Sequence, residues 1–117
     1  MRTRNQEYAA QIFEQVTQVS EEERKKYGSL AHRLPVLIRT AGLAQALAFV
    51  DARGKEPGKR LLNDLATVLR FEDKDKLLER SRQAELPEYM CLTRDVLGAL
   101  AWYKRFAQSV LGVDAGA

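Results

Sequence analysis

Among its 117 residues the chain has one cysteine and one histidine, which leaves little material for a catalytic or metal centre. A lone cysteine forms no internal disulfide and fits a reducing compartment. A structural zinc site takes four Cys or His ligands, and His32 with Cys91 supplies two at most. Prolines number three, and no stretch alternates β-branched and polar residues as a strand would. No apolar run approaches the roughly 18 residues needed to cross a bilayer. The start, Met1 to Glu7, leads into no apolar signal core, so no export signal is expected. Neither charge sign dominates: 19 Lys and Arg against 16 Asp and Glu give +3. That balance permits an anionic partner but is weaker than the bias of a DNA-coating protein. A cytoplasmic protein without membrane contact is expected.

What is present is the material of a soluble helical fold. Hydrophobic residues make up 45% and charged residues 30%, as in a globular protein. A chain of this length buries a core without disulfide or metal staples. Residues 1–117 are expected to form a single all-α domain, a compact bundle of about five to seven helices, with 112–117 disordered.

A first helix is read from about Thr3 to Gln18, with Tyr8, Ile12, Val16 and Val19 on one side. Ser20 to Glu23 reads as a capping box, and its glutamates sit where the helix dipole favours negative charge. Gly28 and Ser29 are expected to interrupt the second element. A new helix would then begin near Leu34, placing Pro35 in a first turn, where it costs nothing. Gly42 marks a bend, and Gly54 suits the end of the apolar run Leu43 to Val50. Gly54 to Gly58 reads as the one flexible loop. Leu61, Leu62, Leu65, Val68 and Leu69 then repeat with helical spacing. Asp73 can cap a short helix carrying Leu77 and Leu78, and Pro87 fits the first turn of a long final helix.

On that final helix Tyr89, Leu92, Val96, Leu100, Tyr103, Ala107 and Val110 recur at steps of three and four, one apolar stripe. Its far side carries Arg94 and Arg105 with only Gly98 and Ala101 between them; Trp102 and Phe106 lie toward the edge. The two arginines are eleven residues apart, about 16 Å along the axis. Such a face fits a second macromolecule.

Tests for chemistry come out negative. Cys91 lies beside the core stripe and reads as a small packing residue, and His32 falls opposite Leu34 and Ile38, so it is expected to be exposed. Asp73 and Asp75 alternate with Lys74 and Lys76, a capping pattern more than a cation site. Gly58-Lys59-Arg60 has neither the upstream glycine spacing nor the following Ser/Thr of a phosphate loop. The segments meeting at Gly42 offer only Gln45 as a polar base reader, too few for a recognition helix. A protein that is not an enzyme, with no cofactor and no metal, is expected.

The order of blocks along the chain resembles a family: the small α-helical subunit of the Cmr complex, the type III-B RNA-guided CRISPR effector. The resemblance rests on Arg4 to Ala9, Lys26 to Ser29, Leu34 to Ile38 and Ala41 to Phe49, then Glu88-Tyr89, Leu92 to Arg94 and Leu100 to Ala107. It spans nearly the whole chain and is weakest from Gly54 to Leu86. It implies an all-helical bundle without an active site, whose copies stack head to tail as a minor filament beside larger subunits that hold the guide RNA. It further implies that target RNA threads between the filaments and touches basic side chains of the small subunit, while cleavage belongs to the backbone subunit. Arg39, Lys59, Arg60, Arg94, Lys104 and Arg105 are the candidates for phosphate contact, chosen by position and charge. Gly98, Ala101, Trp102 and Phe106 are the protein-interface candidates. The alternative is a protein-binding adaptor that does not touch RNA, anchored by Trp102 and Phe106.

Overall fold

The computed structural model describes residues 1–53 and 55–116; among these are six α-helices and no strand. The first, α1 (Arg4–Thr17), starts at Thr3, whose hydroxyl accepts from the Gln6 N–H while the Gln6 side chain accepts from the Thr3 N–H. The capping box therefore forms here. At Ser20 the expected one does not: Ser20 is the N-cap of α2 (Glu21–Ala41), but its side chain makes no capping bond. The helix dipole and the three following glutamates still favour this start.

The expected interruption of α2 at Gly28 and the restart at Leu34 are both overturned. One helix of 21 residues passes through Gly28, Ser29 and Pro35. Gly28 is required by packing: a Cβ there would lie 2.7 Å from the Cβ of Val113. Pro35 lacks the N–H that would bond the carbonyl four residues back, at a cost of about 3 kcal/mol. Burial of Tyr27, Ala31, Leu34 and Ile38 on one side of α2 offsets it, at roughly 1.5–3 kcal/mol for each large side chain.

Gly42 ends α2 with φ +92°, the bend expected there. Helix α3 (Leu43–Arg53) follows at once, then α4 (Glu56–Val68), α5 (Lys74–Gln83) and α6 (Leu86–Ser109). The loop expected over 54–58 is shorter than the glycines and proline indicated, because Glu56, Pro57 and Gly58 already belong to α4. The helix-ending role expected of Gly54 lies outside the described residues. Helix α4 closes with Arg70 in the left-handed region (φ 69°), where the Phe71 N–H reaches the Ala66 carbonyl. Asp73 caps α5 by accepting from the Lys76 N–H, and Pro87 stands in the first turn of α6, both as the sequence predicts.

Helix α2 lies at the centre, packed on α6, α3 and α4, while α1 crosses α6 and α4 and α5 covers α3 and α4. Ile12, Val16, Tyr27, Leu34, Leu47, Leu61, Leu65, Val96 and Tyr103 are fully shielded in one core. A radius of gyration of 13.2 Å matches the roughly 13 Å of a compact chain near 100 residues. The expectation of disorder over 112–117 fails at Val113. Gly112 (φ +71°) turns the chain back, the Val113 N–H donates to the Ala107 carbonyl, and the Val113 side chain is buried on Gly28.

Candidate nucleic-acid interface

Helix α6 buries Leu92, Val96, Leu100, Tyr103 and Ala107, the greater part of the stripe read from its spacing. Tyr89 and Val110, at the two ends, are only partly covered. That burial turns Arg94, Gly98, Ala101 and Arg105 outward, and all four are exposed. Neither arginine joins an ion pair among the described residues. The Arg94 guanidinium lies 3.8 Å from Cys91 Sγ, and that of Arg105 lies 5.4 Å from the centre of the Trp102 ring. Between them a Cβ on Gly98 would meet no atom within 4 Å. The face thus holds two charges over an open gap.

The other candidates are placed less uniformly. Lys104, Arg39 and Lys59 are exposed, whereas Arg60 is drawn inward, 3.9 Å from both Glu23 and Asp64. Trp102 and Phe106 clasp α1 to α6. The Trp102 indole N–H donates to Asn5 Oδ1 at 2.9 Å, and Phe106 meets Phe13 edge to face at 5.4 Å.

Below this surface, a polar network joins four helices. Tyr27 donates to Asp64 Oδ2 at 2.7 Å, Tyr103 to Gln15 Oε1 at 2.5 Å, and the Gln15 amide to the Asp64 carbonyl at 3.0 Å. Burial pushes the Asp64 carboxyl above its usual range; the Tyr27 hydroxyl and the Arg60 charge pull it back in part. Burial, reinforced by Asp64, raises both phenols well above the ordinary tyrosine value. Every member has a partner, and the network ties helices together.

Two readings are corrected here. His32 is buried, not exposed: its Nε2–H donates to the Val113 carbonyl at 2.8 Å, because the returning tail covers that side of α2. Cys91 is exposed, not a packing residue, since the core stripe of α6 passes beside it. No group of three or more His, Cys, Asp or Glu residues gathers as a cation site among the described residues. Nor is any of the described helices long and apolar enough to cross a membrane. Sequence reasoning also missed a second concentration of charge, formed by Lys25, Lys26, Arg33, Arg53 and Lys55 around one cleft. The spacing of Lys26 and Arg33 would have revealed part of it had α2 been read as unbroken.

Five helices packed about the central α2, with arginines on the outward side of the last, define a small all-α protein among the described residues. The comparisons give that class a family. The chain belongs to the CRISPR-associated Cas_Cmr5 family, whose model matches residues 4–110. It is similar to the CRISPR system Cmr subunit Cmr5 of Thermus thermophilus, 53% identical over 112 residues, covering 95% of this chain and 98% of the relative. The crystal structure of a CRISPR-associated Cmr5 family protein from Thermus thermophilus superposes with a TM-score of 0.83. There the identity is 51%, and 94% of this chain and 98% of the other are covered.

Proposed function

We propose that this chain is a non-catalytic subunit of a type III-B, RNA-guided Cmr effector, stacking as a minor filament and touching target RNA through basic side chains. Family membership and the relative named as a Cmr subunit support the assembly. The observation that carries the RNA contact is the outward stripe of α6, with two arginines that join no ion pair among the described residues on either side of the open Gly98 position. Phosphates reward such charges by releasing counterions, independently of sequence. The non-catalytic part is supported by the commitment of the one histidine: His32 is buried and held on the Val113 carbonyl.

Head-to-tail stacking presents different patches at each contact and builds open filaments when the rotation does not close. Weak self-association of the isolated chain is then enough, because the rest of the complex supplies avidity.

The deciding experiment is Arg94→Ala with Arg105→Ala, carried into the assembled complex. Target RNA affinity should fall about tenfold near 0.1 M salt, and the salt slope by about 1.4, roughly 0.7 for each single-strand phosphate contact removed. Helical content should be unchanged. RNA binding that keeps both its strength and its slope would sink the assignment. Nuclease treatment before co-purification separates an adaptor, which keeps its partners without RNA.

A further inference from the structure

A cleft of about 770 Å³ opens between the first half of α2, the end of α3 and the start of α4. Lys25, Lys26 and Arg33 come from α2, Arg53 from α3, and Lys55 from just before α4, and among the described residues no Asp or Glu side chain lines the space. All five cations are exposed, and none joins an ion pair among the described residues. Elsewhere on the surface Arg4, Arg70, Lys74 and Arg80 are each engaged by a carboxylate. Glu21, Glu22 and Glu56 are close in sequence but do not line the cleft.

The cleft is not merely basic. Its lining includes Leu30, Val50 and Pro57, and one wall is Phe49, 48% exposed although large and apolar. The Arg53 guanidinium lies 5.3 Å from the centre of the Phe49 ring. Five free cations call for a polyanion, and an apolar pocket beside a half-exposed ring calls for a flat apolar body attached to it. An acidic peptide satisfies only the first demand. A base carried on a phosphate backbone satisfies both, since stacking on an aromatic ring accepts any base face. A duplex keeps its base faces stacked inside and offers none to Phe49.

We propose that this cleft is a second, sequence-independent site for single-stranded RNA, in which a base lies on Phe49 and flanking phosphates lie against Lys25, Lys26, Arg33, Arg53 and Lys55. The choice of RNA over DNA rests on the functional reading above; the site itself rests on the cleft. Lys26 and Arg33 are seven residues apart on one helix, about 10 Å, so they meet different phosphates.

The test is fluorescence anisotropy of the full-length chain with labelled decauridylate RNA, starting near 50 mM salt, where phosphate contacts are strongest. Phe49→Leu, which keeps an apolar side chain but removes the ring, should weaken binding about five- to a hundredfold. Phe49→Trp should retain it. Lys26→Gln with Arg33→Gln should lower the salt slope by about 1.4. Circular dichroism should be unchanged in each, because these side chains are exposed. The proposal is overturned if the chain does not bind decauridylate, if both the Phe49→Leu and the double variant bind normally, or if duplex RNA binds equally well. Competition by polyglutamate would instead identify an acidic peptide site, and competition by uridine monophosphate at equal concentration a mononucleotide pocket; either result replaces the proposal. Arg94→Ala with Arg105→Ala, measured in parallel, keeps the two readings apart: loss only there removes the cleft and leaves the α6 face, and loss only in the cleft variants does the reverse.

Discussion

At Gly28 a single added carbon would lie 2.7 Å from Val113 Cβ and 2.9 Å from its Cγ2. Contacts that short force either the tail or the helix to move. Gly28→Ala should therefore destabilise the protein by about 1–3 kcal/mol, the usual cost of overpacking, read as a lower urea midpoint. An unchanged midpoint would mean that the tail gives way freely. The same tail explains one residue that sequence placed wrongly. A helical wheel puts His32 opposite Leu34 and Ile38, and locally that is correct. What covers it is Val113, 81 positions away, and no periodicity within α2 can report that. Cys91 is the converse case: small and mildly apolar, it looked suited to packing, yet it stands outside the buried arc of α6.

For whole elements the reading was good where burial and propensity agreed and poor where they conflicted. The periodic segments of α1, α4 and α6 came out within a few residues of their observed bounds, the cap at Asp73 and the first-turn place of Pro87 are as expected, and the capping box forms at Thr3 and not at Ser20. Helix α2 carries both helix-breaking residues inside it and continues, because its buried side chains touch α6, α3 and α4 at once. The network of Gln15, Tyr27, Asp64 and Tyr103 is likewise a property of several helices, and it makes a pH prediction. The Asp64 carboxyl titrates in the folded state above its ordinary value of 3.8, mainly because it is buried. Its contribution to stability is therefore greatest when both folded and unfolded states are protonated. It declines as pH rises from 3.8 through the raised folded value. Asp64→Asn cannot titrate, so the stability of the native protein minus that of the variant should fall across this window and then level off. Urea titrations at a series of pH values measure it, and a difference that rose with pH would contradict the assigned shift.

For the molecule as a whole, the question is which surface is left over once the core has formed. Gly98 sits in the middle of α6, exposed, with nothing for a Cβ to strike. Internal packing gives no reason for a glycine there. Gly98→Ala should stabilise the isolated chain by about 0.5–1 kcal/mol, the ordinary gain at an exposed helix interior. If the α6 face meets a partner closely, that same variant should associate less well with the assembled complex. A thermal melt together with co-purification checks both halves; higher stability with undiminished assembly would mean that no partner approaches at that position.

The amino-acid sequence by itself determined that this chain is all helix, where most of its apolar stripes lie, that α6 turns arginines outward, and which family its blocks resemble. Those properties repeat within one helix or along one chain, so neighbours in sequence suffice to read them. Only the tertiary structure decided that α2 runs unbroken, that Val113 seals His32, that Arg60 is drawn toward Glu23 and Asp64, and that five cations from three segments gather around Phe49. Whether a charge is free depends on which carboxylates distant segments bring beside it, and that is settled only when the helices pack.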